Sequence, residues 1–144
     1  MVENDLFADA RGRVETMLAE APPTEEILDE ALGLIQAFAM DDLRPEADRM
    51  STADDAWDLI ASVDAWASLA SYATQRIYLD EAPAVGTPFP SYPGWQKKVP
   101  RRLRDLARAL GAILEQACRL LRALSYSLSV NFPFGVSVSV SWQP

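Results

Sequence analysis

At 144 residues, with 49% hydrophobic and 24% charged residues, the chain has the length and make-up of one ordinary globular domain, large enough to bury a core without staples. Its single cysteine, Cys118, excludes an internal disulfide framework, and the absence of histidine removes the commonest general base, the commonest zinc ligand and any Ser-His or Cys-His pair. Net charge is −8 but uneven: residues 1–96 carry 19 acids and 5 bases, whereas residues 97–144 carry 8 bases, all between Lys97 and Arg122, and 2 acids.

The first predicted element is a helix over 3–21. Leu6, Ala10, Val14, Met17 and Leu18 recur at three and four with Phe7 beside them, and Gly12 interrupts. Met1 to Ala10 holds acids where a secretion signal needs bases. Pro22-Pro23 closes the segment. Thr24 before Glu25-Glu26 caps a second helix over 24–40, with a stripe of Ile27, Leu28, Ala31, Leu32, Ile35, Phe38 and Ala39. Residues 41–50 are polar and contain Pro45, so they read as a connection.

Ser51-Thr52-Ala53-Asp54 opens a third helix over 51–79 in a capping-box pattern, with Asp54 standing for the usual Glu or Gln. Ala56, Ile60, Val63, Ala67, Ala70, Ala73 and Ile77 share its stripe, flanked by Trp57, Trp66 and Tyr78. So many alanines predict close approach to a neighbouring helix. Residues 81–100 hold Pro83, Pro88, Pro90, Pro93 and Pro100, but also Phe89, Tyr92 and Trp95. They predict an extended arm lying across the bundle, with a proline-aromatic ligand for another domain as the alternative.

A fourth helix is predicted over 100–123, with Pro100 in its first turn and Leu103, Leu106, Leu110, Ile113, Ala117, Leu120 and Leu124 on its stripe. Arg101, Arg102, Arg104 and Arg108 would then crowd the positive end of that helix. This unfavourable placement points to an outside partner.

From Leu124 the apolar period changes to 2. Leu124, Tyr126, Leu128 and Val130 interleave with Ser125, Ser127 and Ser129. After Asn131-Phe132-Pro133-Phe134-Gly135, Val136, Val138, Val140 and Trp142 interleave with Ser137, Ser139 and Ser141. This predicts an antiparallel hairpin over 124–142 with a five-residue loop. Val130 faces Val136, Leu128 faces Val138, Tyr126 faces Val140 and Leu124 faces Trp142, which leaves the six serines together on the other side. The apolar face belongs on the helices. The serine face is either wet or packed against another sheet or a second copy. No charge or proline blunts the strand edges, and a lone hairpin is marginal in water. Its edges must be covered by residues 81–100, join a partner's strand or pair with a twin.

Other chemistry is sparse. Asp54 and Asp58 share a helix face near Asp55, Asp41 and Asp42, but the Glu-x-x-His of di-metal bundles is missing, so no metal or cofactor is expected. Cys118 beside an apolar stripe reads as structural. Gly12, Gly33 and Gly111 are isolated and form no phosphate loop.

The run Leu103–Trp142, a basic amphipathic helix flowing into the serine-alternating hairpin, resembles the ends of small accessory proteins of bacterial conflict systems, those encoded with caspase-like proteases and helical-repeat proteins. The likeness is one of pattern, without an invariant motif. It implies a non-enzymatic partner protein and transfers no site residues. The whole reading is a single α+β domain over 1–144, about four helices in a bundle with a C-terminal antiparallel hairpin. The expected role is that of a cytoplasmic interaction or adaptor protein. It would bind a larger effector, or itself, through Ser125, Ser127, Ser129, Ser137, Ser139 and Ser141 or through Arg101, Arg102, Arg104 and Arg108. A membrane-active effector using hairpin and basic helix is the alternative. Nucleic acid is disfavoured, because the bases are offset by 21 acids and no aromatic-basic platform is visible.

Overall fold

A computed structural model of the chain describes residues 5–19, 25–78, 93–123, 125–131 and 135–141. Four helices, α1 (Asp5–Ala19), α2 (Glu25–Arg49), α3 (Ala53–Tyr78) and α4 (Pro93–Leu121), precede strands β1 (Ser125–Asn131) and β2 (Gly135–Ser141). The architecture is therefore α+β, a helical bundle carrying a C-terminal antiparallel hairpin. Helix α2 packs on each of the other three, and the hairpin lies over α3 and α4. The stripes read from spacing supply the core: Val14 and Leu18 from α1, Leu28, Leu32 and Ile35 from α2, Val63 and Ala70 from α3, and Leu103, Leu106 and Leu110 from α4. Leu6 and Leu120, each in a terminal turn, outrun this cover and are 37% and 43% exposed.

Helix α2 does not stop at Met40. It continues through Pro45 to Arg49, so the expected connection over 41–50 is helical except at its last residue. Pro45 has no N–H for the helix ladder, a loss of about 3 kcal/mol in a helix interior. Leu43 and Ala47 nevertheless continue the stripe into the core. Full burial of a leucine returns about 2 kcal/mol. Asp42 Oδ2 also accepts the indole N–H of buried Trp66 at 3.0 Å, and Phe7 meets that ring edge-on at 4.9 Å. Tertiary contacts thus outweigh the local breaker.

The capping box of α3 is real but sits one residue later than Ser51/Asp54. Thr52 is the cap: its Oγ1 accepts the Asp55 N–H at 3.1 Å. Asp55 Oδ2 in return accepts the N–H of Thr52 at 3.1 Å and of Ser51 at 3.0 Å.

Helix α4 begins at Pro93, not Pro100, so 93–100 belong to a helix rather than to an arm. Residues 79–92, the rest of that expected arm, lie outside the described residues. With the start moved two turns back, Arg101 to Arg108 no longer sit at the helix's positive end, and the dipole conflict inferred from sequence disappears. At the other end Arg122 adopts φ 55°. The Ala123 N–H reaches the Cys118 carbonyl at 2.9 Å, and the Arg122 N–H reaches that of Arg119 at 3.2 Å. This is a Schellman stop, with arginine where glycine is usual. It turns the chain directly into β1.

In the hairpin Val130 pairs with Val136, Leu128 with Val138 and Tyr126 with Val140. Ser129, Ser127 and Ser125 pair with Ser137, Ser139 and Ser141. Asn131 also pairs with Gly135, so only 132–134 separate the strands instead of five residues. The Leu124–Trp142 pair falls outside the described residues.

Candidate interaction surface

Period-2 patterning sends the hairpin's valines and Leu128 toward the bundle, while Tyr126 stays 37% exposed. Val136 is buried, and Leu128, Val130, Val138 and Val140 pack against the core. Ser71 on α3 fixes the hairpin's position. Its hydroxyl accepts the Val136 N–H and donates to the Val136 carbonyl, each at 2.9 Å. Both polar groups of Val136 therefore point away from β1.

In an antiparallel pair, residues alternate between facing the partner with both backbone groups and facing outward with both. The Ser71 bonds fix the phase of that alternation. Serines bind across the hairpin, while the apolar residues turn their N–H and C=O to the outer edges. On β2 the edge is capped at Val136 by Ser71. On β1 the outward groups are those of Tyr126, Leu128 and Val130, and among the described residues none of them bonds to anything beyond the hairpin.

The opposite face carries the serines. Ser125, Ser127, Ser137, Ser139 and Ser141 are exposed. Ser125 and Ser141 share a hydrogen bond across the strands at 2.6 Å. The side chain of Ser129 lies outside the described residues. The result is an uncharged, flat platform of small hydroxyls.

The four arginines do not act as one cluster. Arg102 faces α2 and donates to both carboxylate oxygens of Asp29, at 3.0 and 3.3 Å. The bonds to Asp29 push its already high pKa further up. This pair ties the basic segment to the acidic one and is structural. Arg101, Arg104 and Arg108 recur at three and four along another, exposed face of α4. Among the described residues Arg108 has only a loose ion pair with Asp105, at 3.9 Å.

Arg104 and Arg108 border an open groove of about 630 Å3, whose floor is Ala107, Gly111 and Ala112 and whose wall is Leu128 and Val130 of β1. A Cβ on Gly111 would stand 3.7 Å from Leu128 Cδ1, so strand and helix are already in contact there. At the far end Glu115 is engaged by Arg119.

Two of the carboxylates singled out from sequence have structural partners. Asp55 serves the α3 cap, with its pKa held below the usual carboxylate range by the Ser51 and Thr52 amides. Asp42 serves Trp66. Glu46, which sequence reading passed over, has its pKa raised by burial and then by the nearby charges of Asp42 and Asp58. Among the described residues no three of His, Cys, Asp and Glu are grouped to hold a metal ion. Cys118 is buried, and that burial pushes its thiol pKa up, away from the reactive thiolate.

Sequence reading found the serine face but missed Ser71 and the β1–α4 groove. A small polar residue among the alanines of α3 was the available signal for Ser71. The groove had none, because it depends on how far the hairpin is displaced across α4. No described helix is long and apolar enough to cross a membrane. Comparison with known proteins finds no matching family model, no matching curated protein and no matching solved structure.

Proposed function

We propose that the chain is a non-enzymatic interaction protein, a small adaptor whose helical bundle is a rigid mount for the C-terminal hairpin and whose partner is another protein chain. One observation carries this reading: a seven-residue-by-seven-residue hairpin, without a charged side chain, is held on the bundle by Ser71 while its serine face and its β1 edge remain uncovered among the described residues. Such edges are managed in natural proteins by charge, proline or cover, because otherwise they recruit strands. Asp55 is engaged in a helix cap, Asp42 by Trp66, Arg102 by Asp29, and Cys118 is buried in the core.

A cytoplasmic adaptor working beside a larger effector in a bacterial conflict system is the form of this function that fits the resemblance of Leu103–Trp142. The test is co-expression with the products of adjacent genes. A tagged chain should retain one of them. Ser139→Lys and Ser127→Lys, which charge the platform, should lower that retention, whereas Thr16→Lys on exposed α1 should not. Retention unaffected by the charged platform would remove the hairpin face from the function. Dye release from liposomes at physiological salt, without a retained partner, would replace the adaptor reading by the membrane effector.

A further inference from the structure

We infer that the β1 edge and its groove receive an acidic extended segment of another protein, which adds as a third strand. This rests on the interaction reading above and names the occupant of that site. Two independent features converge there. The first is main-chain: Tyr126, Leu128 and Val130 turn N–H and C=O outward in a row, the phase being set by the Ser71 bonds to Val136. The equivalent row on β2 is already capped at Val136, so the two edges are not alike. The second is charge: Arg104 and Arg108 stand over the groove beside that row, with Arg101 on the same helix face.

An added strand has alternate side chains directed inward. Here they meet a floor of Ala107, Gly111 and Ala112, where small apolar side chains fit. Toward Val130 they meet Arg104 and Arg108, where a carboxylate fits. Glu115 is occupied by Arg119 and offers a cation little. The outward side chains would extend the serine platform. A second copy of this chain fits less well. Pairing β1 with a twin β1 would bring two arginine-bearing helix faces together, and the hairpin itself has no acid to offer them.

The experiment uses the full chain and two measurements. Amide exchange of the free chain should leave Tyr126, Leu128 and Val130 fast while Ser127 and Ser129, paired with β2, are slow. Protection of all five in dilute chain would show the edge already covered and overturn the inference. Binding is then read by fluorescence anisotropy with the capped probe Thr-Glu-Ser-Glu-Thr-Val-Ser-Val-Thr and its counterpart with both Glu replaced by Lys. The acidic probe should bind about tenfold more tightly, and the Arg104→Glu/Arg108→Glu variant should reverse the preference. N-methylating the probe at alternate residues in one phase should abolish binding, and in the other phase should not. Equal affinity for both probes, no saturation by the acidic probe, or indifference to the phase of methylation would each overturn the proposal. So would tighter binding of a single-stranded oligonucleotide at the same arginines, or protection of the β1 amides only as dimer forms. None of these outcomes touches co-purification through the serine platform, so the two readings fail separately.

Discussion

Ser71→Ala is the most informative single change, because one hydroxyl holds the hairpin to α3. The hydroxyl makes two hydrogen bonds to Val136, one as acceptor and one as donor, both 2.9 Å long and part-buried. The Ala67 carbonyl, 3.1 Å away, competes for the same single hydroxyl proton, and loss of that bond carries no penalty because Ala67 keeps its helix partner. At about 1 kcal/mol for each bond to Val136 the loss is about 2 kcal/mol. Alanine is the better helix former by about 0.5 kcal/mol, leaving a net cost of about 1.5 kcal/mol. This cost should fall on opening of the hairpin rather than evenly over the bundle. Exchange of the Val136 amide should accelerate about tenfold, since 1.4 kcal/mol is one decade. Core amides of α2 should change far less. Urea denaturation gives the global figure and native-state exchange the local one. Ser68→Ala, three residues earlier and exposed, is the control and should be neutral or slightly stabilising. Unchanged exchange at Val136 in Ser71→Ala would refute both the staple and the edge assignment drawn from it.

Thr52→Ala should cost about 1 kcal/mol in urea denaturation, and Asp54→Ala under about 0.5 kcal/mol, because Thr52 is the true cap and Asp54 contributes only through the helix dipole; equal costs would refute the register. Asp55, bound by the Ser51 and Thr52 amides, has a lowered folded-state pKa. Its contribution to stability is present above its ordinary value of 3.8 and is lost as pH falls through the folded value. Glu46 runs the other way. Its raised folded-state pKa means the charged form costs stability at pH 7, so Glu46→Gln should stabilise there. The gain should fade as pH falls toward the ordinary value of 4.5, and a gain that grew on acidification would contradict the assignment. Arg122→Gly should raise stability by about 0.5–1 kcal/mol, relieving a positive φ at the cost of some unfolded-chain entropy, and a loss in thermal or urea unfolding would show that the arginine side chain compensates for its backbone.

What could be read from the sequence was what depends on periodicity. The change from period 3.6 to period 2 placed the hairpin, and alternation about Asn131–Gly135 fixed its register down to Ser125–Ser141. A one-residue slip would have turned Val136 to solvent, so burial enforces what the pattern suggests. The boundaries that differ are those at a proline whose surroundings outweigh it. Pro45 stops a helix on propensity alone, yet Leu43, Ala47 and the Asp42–Trp66 bond lie on the core side of the same helix and carry it on. Pro100 suggested a first turn, but Pro93 satisfies the same rule seven residues earlier. With α4 starting at Pro93, the arginines stand well inside the helix and carry no dipole conflict.

The site divides along the same line. Sequence can say that six serines share a face, because that follows from spacing. It cannot say that Arg102 turns to Asp29 while Arg104 and Arg108 turn to β1, because that depends on where two elements, 73 residues apart in the one case, come to rest. The basic segment is therefore two things at once. Through Arg102 it neutralises the acidic half of its own chain, and through the stripe of Arg101, Arg104 and Arg108 it keeps exposed positive charge beside an unfilled strand edge. A charge surplus used only for internal balance would be spent on α2, whose Asp29 faces α4. That Arg104 and Arg108 instead border the β1 edge, which among the described residues bonds to nothing beyond the hairpin, is the arrangement expected if the edge has an acidic strand to receive.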